Sequence, residues 1–278
     1  MEEELMTMLK PLQEKLQDFE ETKLTWTKIA EYIKSHAAKT EWRIKEEFRK
    51  LQQFLAECTL ETLQHPATVS GAPVNVAKHL GNLKFRVWEK MQDLVEFSPV
   101  VLDATTASPC LILSEDLTSV RYTDEKQQIP DNPERFDEYA CVLGSEGFDS
   151  GKHCWDVDVG NSTYWDLGVT TGSNQRTGDS FFNTGVWRVR LYDGKYRSKA
   201  SGGSRTPLTL NNKLQKIRVE LDWDRGRLSF SDPLNNTHIH TFTHSFTERM
   251  FPYLYNRCKL SPLRILPVKC DISVKQHS

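Results

Sequence analysis

The sequence predicts an α+β chain in which one long N-terminal helix precedes an antiparallel β-sandwich. Three observations carry this. Residues 1–63 contain no glycine and one proline, and are dense in Glu, Lys, Gln and Leu, a helix composition. Apolar and polar residues alternate with period two along Trp155–Val159 and again along Trp165–Thr170, as strands with one covered face require. From Phe97 onward, turn residues recur about every ten positions with little helical pattern between them. Without crossover helices the strands pair antiparallel.

In the helix, apolar residues fall at Leu5, Leu9, Leu12, Leu16 and Phe19, spaced four and three, the seam of a coiled coil. The row resumes at Trp26, Ile29 and Ile33, weakens through His36 and Thr40, and returns at Ile44, Phe48, Leu51 and Leu55. Mixed seven- and eleven-residue periods predict a loosened supercoil. One apolar stripe needs a partner. A second copy or a related coiled coil would supply it by dimerisation; the alternative is a helix folded back on its own domain. His36 reads as a polar register residue, and Pro11 predicts a kink or a helix start close to it. The Pro- and Gly-containing stretch within 64–75 reads as a linker. Residues 76–96 place Leu80, Leu83, Val87, Met91 and Leu94 at helical spacing, predicting short helices that dock on the following domain, with Trp88 as an anchor.

The domain expected over 97–278 opens with apolar pairs between Val100 and Leu113. Trp155, Val157 and Val159 form one inward row and Trp165, Leu167 and Val169 another. Gly160–Thr163 between them predicts a hairpin, with Asp156, Asp158 and Asp166 outward as solvated charges or cross-strand ion-pair partners. Trp187, Val189 and Leu191 point inward, which turns Arg188, Arg190 and Tyr192 outward. Asp193-Gly194 is a two-residue hairpin signal before Lys195-Tyr196-Arg197. Ile217, Val219, Leu221 and Trp223 form a further row, turned by Asp224-Arg225-Gly226 into Leu228 and Phe230.

Composition narrows the function. A length of 278 residues allows one large domain plus a smaller element, and a formal charge of −2 argues against general binding to phosphate backbones. No apolar run is long enough to span a membrane and the first residues are acidic, so a cytoplasmic chain is expected. The six cysteines show no zinc-knuckle spacing and read as free thiols packed as small hydrophobes. His238, His240 and His244 alternate without a Cys or carboxylate at ligand spacing. His153 and Cys154 are strand neighbours that face opposite ways. No catalytic constellation, metal site or cofactor is expected.

Several of these segments match a known family. Leu102-Asp103-Ala104, Leu111-Ile112-Leu113-Ser114-Glu115-Asp116, Val142-Leu143-Gly144, Trp155-Asp156-Val157, Leu221-Asp222-Trp223-Asp224, Phe251-Pro252 and Leu263-Arg264-Ile265 stand in order and at suitable separations. Residues 97–278 therefore resemble a PRY-SPRY (B30.2) domain, and Ile33–Glu57 resembles the coiled coil of tripartite-motif (TRIM) proteins. The resemblance implies a protein-binding surface formed by variable loops at one end of the sandwich. By motif position these are Gly172–Gly185, Arg190–Thr206 and Tyr253–Leu260, offering Phe181, Phe182, Arg190, Tyr192, Tyr196, Tyr255 and Arg257. It also implies the ubiquitin pathway and an innate-immune setting. RING and B-box zinc modules are not seen ahead of the helix, so any ligase activity would belong to a longer parent. A second reading is binding of RNA or anionic membrane through Arg188, Arg190, Lys195, Arg197, Lys199 and Arg205, with Tyr192 and Tyr196 interleaved.

Overall fold

A computed structural model of the protein describes residues 2–63, 99–210 and 212–267. The chain divides into two units, residues 1–93 and 94–278. The linker and short helices expected over 64–75 and 76–96 lie outside the described residues.

In the first unit, α1 runs without a break over Glu2–Leu63, with Pro11 inside it. The helix therefore does not begin at Pro11 but continues through it, at the cost of the backbone bond that an N–H at this position would have made to the Thr7 carbonyl. Ion pairs at helical spacing line its surface, from Lys45 to Glu41 at 2.6 Å and from Lys50 to Glu47 at 2.8 Å. The apolar stripe lies open: Leu16, Phe19, Trp26, Ile33, Ile44, Phe48, Leu51 and Leu55 are all exposed, Phe48 to 64%. Ile29 is half-buried. Leu5, Leu9 and Leu12 lie outside the described side chains.

The second unit is a sandwich of two antiparallel sheets. One sheet has the order β1 (Leu111–Leu113), β2 (Ser119–Tyr122), β13 (Leu263–Leu266), β4 (Lys152–Asp158), β9 (Lys216–Asp222), β10 (Arg227–Asp232), β11 (Thr237–Thr243). The other has the order β3 (Cys141–Leu143), β12 (Met250–Asn256), β5 (Trp165–Thr171), β6 (Val186–Tyr192), β7 (Lys195–Lys199), β8 (Thr206–Leu208). Trp155, Val157, Val219, Leu228 and Phe230 from the first sheet and Trp165, Leu167, Val169 and Val189 from the second are buried in one core. Sealing each such side chain from water stabilises the fold by roughly 1.5–3 kcal/mol.

The hairpin expected between Trp155 and Thr170 does not form. β4 pairs with β9 and β13, whereas β5 pairs with β6 and β12, so the two apolar rows face each other from opposite sheets. Val159–Tyr164 is a crossing between sheets, held where the Val159 and Gly160 N–H groups donate to Gln215 O. Two rows with the same inward phase satisfy either arrangement, and the pairing partners lie too far along the chain for period two to reveal. The Asp193-Gly194 hairpin does form. Tyr192 pairs with Lys195 across it, and both turn residues take positive φ, 51° and 66°, as a two-residue type I′ turn requires.

Candidate surface on the outer face of the six-stranded sheet

Residues paired directly across a sheet share a face. Register therefore writes one outer row as Cys141, Tyr255, Asp166, Arg190, Arg197 and Pro207, strand by strand. The next row is Leu143, Tyr253, Gly168, Arg188 and Lys199. Beyond the first row lie Tyr164 and Arg257, joined where Arg257 N–H donates to Tyr164 O at 3.1 Å, and Tyr192 opposite Lys195.

One end of this face is roofed by residues 172–185. Asn174 Nδ2 clamps the loop by donating to Thr170 Oγ1, Phe181 O and Thr184 O, and Lys199 Nζ donates to Phe182 O at 2.8 Å. Under this roof Phe181 packs edge-on against Phe136 and Tyr253, and the Arg188 guanidinium lies 4.1 Å from the centre of the Phe182 ring. Asp166, expected outward and solvated, is instead 1% exposed. Arg188 Nη1 donates to its Oδ2 at 2.6 Å and Tyr253 Oη donates to its Oδ1 at 3.1 Å. Arg188 and Arg190 are buried with it. Both faces of β5 and β6 are thus covered, one by the opposite sheet and one by the loop.

Burial pushes the Asp166 carboxyl up to about 6, against the pull of Arg188, Arg190 and the Tyr253 hydroxyl. Burial lowers the Arg188 guanidinium, but Asp166, Tyr253 and Cys141 together more than restore it. The partners shift in senses that disagree about the worth of the pair. A guanidinium keeps its proton throughout the ordinary pH range, so Asp166 is the group that titrates. Burial raises Tyr255 far above an ordinary phenol, and the neighbouring Tyr164 hydroxyl adds to the effect.

Away from the roof the face opens. The rings of Tyr164 and Tyr192 stand 4.8 Å apart, and Tyr164 and Tyr255 5.4 Å apart. Arg190 lies between them, its guanidinium carbon 5.8 Å from the centre of the Tyr164 ring and 5.2 Å from that of Tyr192.

The expected surface residues sort into three groups. Tyr192 is 44% exposed, Arg257 is exposed, and Phe182 is half-buried at the edge of the roof. Phe181, Tyr255 and Arg190 belong to this face but are buried, the first by the roof and the others by neighbouring rings and strands. Tyr196 points the other way. It pairs with Leu191 on the core side, lies 6.1 Å from the Trp165 ring, and its Oη accepts the Leu214 N–H. Tyr164 and Tyr139 were not singled out from sequence. Tyr164 had a signal, since it precedes the inward Trp165 and alternation turns it outward. Tyr139, which donates to Asp179 O at 2.8 Å and packs on Phe182, had none.

Among the described residues no group of His, Cys, Asp and Glu could hold a metal ion, and no helix is long and apolar enough to cross a membrane. The four described cysteines, Cys110, Cys141, Cys154 and Cys258, are free thiols. Cys154 is exposed, whereas His153 stacks on Phe148 at 3.8 Å.

Two antiparallel sheets with a loop-framed outer face define a PRY-SPRY domain, a protein-interaction module rather than a catalytic one. The SPRY-associated PRY domain matches residues 100–148 and the SPRY domain residues 152–261. The chain belongs to the tripartite-motif family of PRY-SPRY proteins. It is 38% identical over 201 residues to nuclear factor 7, ovary, of Xenopus laevis, covering 69% of this chain and 33% of that protein. With the E3 ubiquitin-protein ligase TRIM69 of Mus musculus it shares 37% identity over 193 residues, 68% of this chain and 38% of the relative. With the zinc finger protein RFP of Homo sapiens the identity is 40% over 191 residues, 65% and 37% of the two chains. The chain thus spans about a third of the length of these relatives. Among solved structures, stonustoxin superposes with a TM-score of 0.54 at 28% identity over 60% of this chain and 28% of its own. The TRIM65 PSpry domain, at 18% identity, shares the fold with a TM-score of 0.52 over 73% of this chain and 99% of its own.

Proposed function

We propose that the chain captures a partner protein on the open part of the outer face of the six-stranded sheet, and that the helix presents the sandwich in two copies. The observation that carries this is the cluster of Tyr164, Tyr192 and Arg190, with Tyr192 44% exposed at its rim. Half-exposed aromatics and arginines around a buried centre are the residues that anchor interfaces. The exposed stripe from Leu16 to Leu55 supports the second half, since a helix with one open apolar face is stabilised by a partner helix. Pairing two weak sites raises their joint affinity without new contacts. The TRIM69 relative is an E3 ubiquitin-protein ligase. In a longer parent of that kind this part of the chain would select the substrate, acting in the cytoplasm, where thiols such as Cys110 and Cys154 stay reduced.

A photo-activated cross-linking residue at position 192 tests the capture surface against one at Leu234, an exposed apolar position in the other sheet's β10–β11 turn. Cross-links to specific proteins at 192 and none at 234 are expected. Equal labelling at the two positions, or none at 192, overturns the reading.

A further inference from the structure

The cations on this face are not balanced by its carboxylates. Asp166 lies directly opposite Arg190 in the ladder, yet its short contact is with Arg188 at 2.6 Å, and Arg190 Nε stays 3.8 Å away. Arg190 is 9% exposed, and its Nε has no hydrogen-bond partner. Among the described residues its guanidinium makes one hydrogen bond, a long one of 3.5 Å from Nη2 to Tyr164 Oη. A guanidinium carries five donors, and a buried one is ordinarily satisfied two at a time by a planar acceptor. On the same face, Lys195, Arg197 and Lys199 follow along β7, and Arg205 lies near enough to act on both Asp166 and Lys199. The row offers no second carboxylate, and Asp193 sits at the hairpin tip. Set in a chain of net charge −2, this is a local concentration of positive charge.

We propose that the Arg190 guanidinium receives the carboxylate of an Asp or Glu side chain from an acidic segment of the captured protein. The inference rests on the reading that this face captures a protein and adds the chemistry it selects. A carboxylate is planar, accepts two parallel N–H bonds from one guanidinium, and gains strength where the Tyr164 and Tyr192 rings exclude water. The β7 cations then draw in neighbouring acidic residues and raise the rate of encounter. Nucleic acid fits less well. Stacking of bases needs open ring faces, but Tyr164 and Tyr192 turn toward each other and toward Arg190, and Tyr196 faces the core.

The test uses the whole chain and two synthetic peptide pools, random except for a fixed central Asp or Glu in one and Asn or Gln in the other. Retention of the acidic pool about tenfold above the amide pool is expected, weakening as salt rises from about 0.05 to about 0.5 M. Arg190→Gln should abolish the preference. Because Arg190 is inside the sheet, a Lys195→Gln/Arg197→Gln variant provides a second reading at rim positions. It should melt as the parent does, lower acidic retention several-fold and flatten its salt dependence. Equal retention of the two pools, an acidic preference that survives Arg190→Gln in a folded variant, or an oligouridylate RNA held more tightly than the acidic pool would each overturn the proposal. Equal retention that is lost in Tyr192→Ala removes the carboxylate and leaves protein capture standing. Retention of neither pool, with no cross-link at 192, removes both.

Discussion

Asp166 and Arg188 meet at 2.6 Å with both side chains nearly sealed from water, 2% and 3% exposed. Folded Asp166 takes up its proton more readily than unfolded Asp166, so its contribution favours the fold most at acid pH. That contribution falls away as pH rises from about 4, the unfolded value, through the folded value of about 6. Arg188→Met removes the main pull holding the carboxyl down and leaves a buried carboxylate offset only by Arg190 at 3.8 Å and the Tyr253 hydroxyl. At pH above about 7 the variant should lose about 3–5 kcal/mol. The loss should shrink as pH falls toward about 5 and Asp166 protonates. Urea midpoints at the two pH values measure it, and a loss independent of pH would show that Asp166 is not the titrating group.

A contrasting pair on the other sheet should matter little. Arg218 donates from Nε and Nη2 to the two oxygens of Asp156, each at 2.8 Å, but the side chains are 40% and 20% exposed. Water screens the pair, so Arg218→Ala should cost about 1 kcal/mol or less despite its two-pronged geometry. Denaturation at neutral pH checks this.

Gly168 lies on β5 where β6 approaches closely. A methyl group there would fall inside the carbonyl oxygen of Trp187. Gly168→Ala should therefore destabilise the sandwich by about 3 kcal/mol through forced separation of the strands. A melting temperature within a degree or so of the parent's would refute the close approach.

The helix should report on self-association. Ile44→Lys with Phe48→Lys places two charges on the exposed stripe. Light scattering should then give the mass of one chain where the parent gives two, at about micromolar concentration. The sandwich should melt as before.

Cys258 differs from the other described thiols. Burial raises it, but the backbone N–H groups of Thr163, Leu260 and Ser261 are the main opposing influence, and it comes down to about 7. Cys154 moves the other way, raised by burial. Alkylation followed by mass spectrometry across pH should show a lower midpoint for Cys258 than for Cys154. Coincident midpoints would count against the donors around Cys258.

The core rows were legible from alternation alone: Trp155, Val157, Trp165, Val189 and Leu228 are buried as their spacing requires. Alternation assigns a residue to a face but does not say what covers that face. Asp166 and Arg188 read as outward and are, yet a loop from 172–185 closes over them. Tyr196 was recoverable, since a two-residue turn fixes Tyr192 opposite Lys195 and sends the next residue to the core side. The change of sheet after Val159 was not, because nothing local distinguishes a crossing from a hairpin when both rows share one core.

The sheet edges have a bearing on solubility at high local density. β1, β3 and β8 end their sheets after three residues each, and β8 carries Pro207. The longer edge, β11, meets an irregularity in register between Phe230 and Ser231. Short, proline-bearing or bulged margins give a neighbouring strand little to template on. If the helices pair as proposed, the sandwiches can therefore crowd without zipping into a continuous sheet, which leaves their faces free for other molecules.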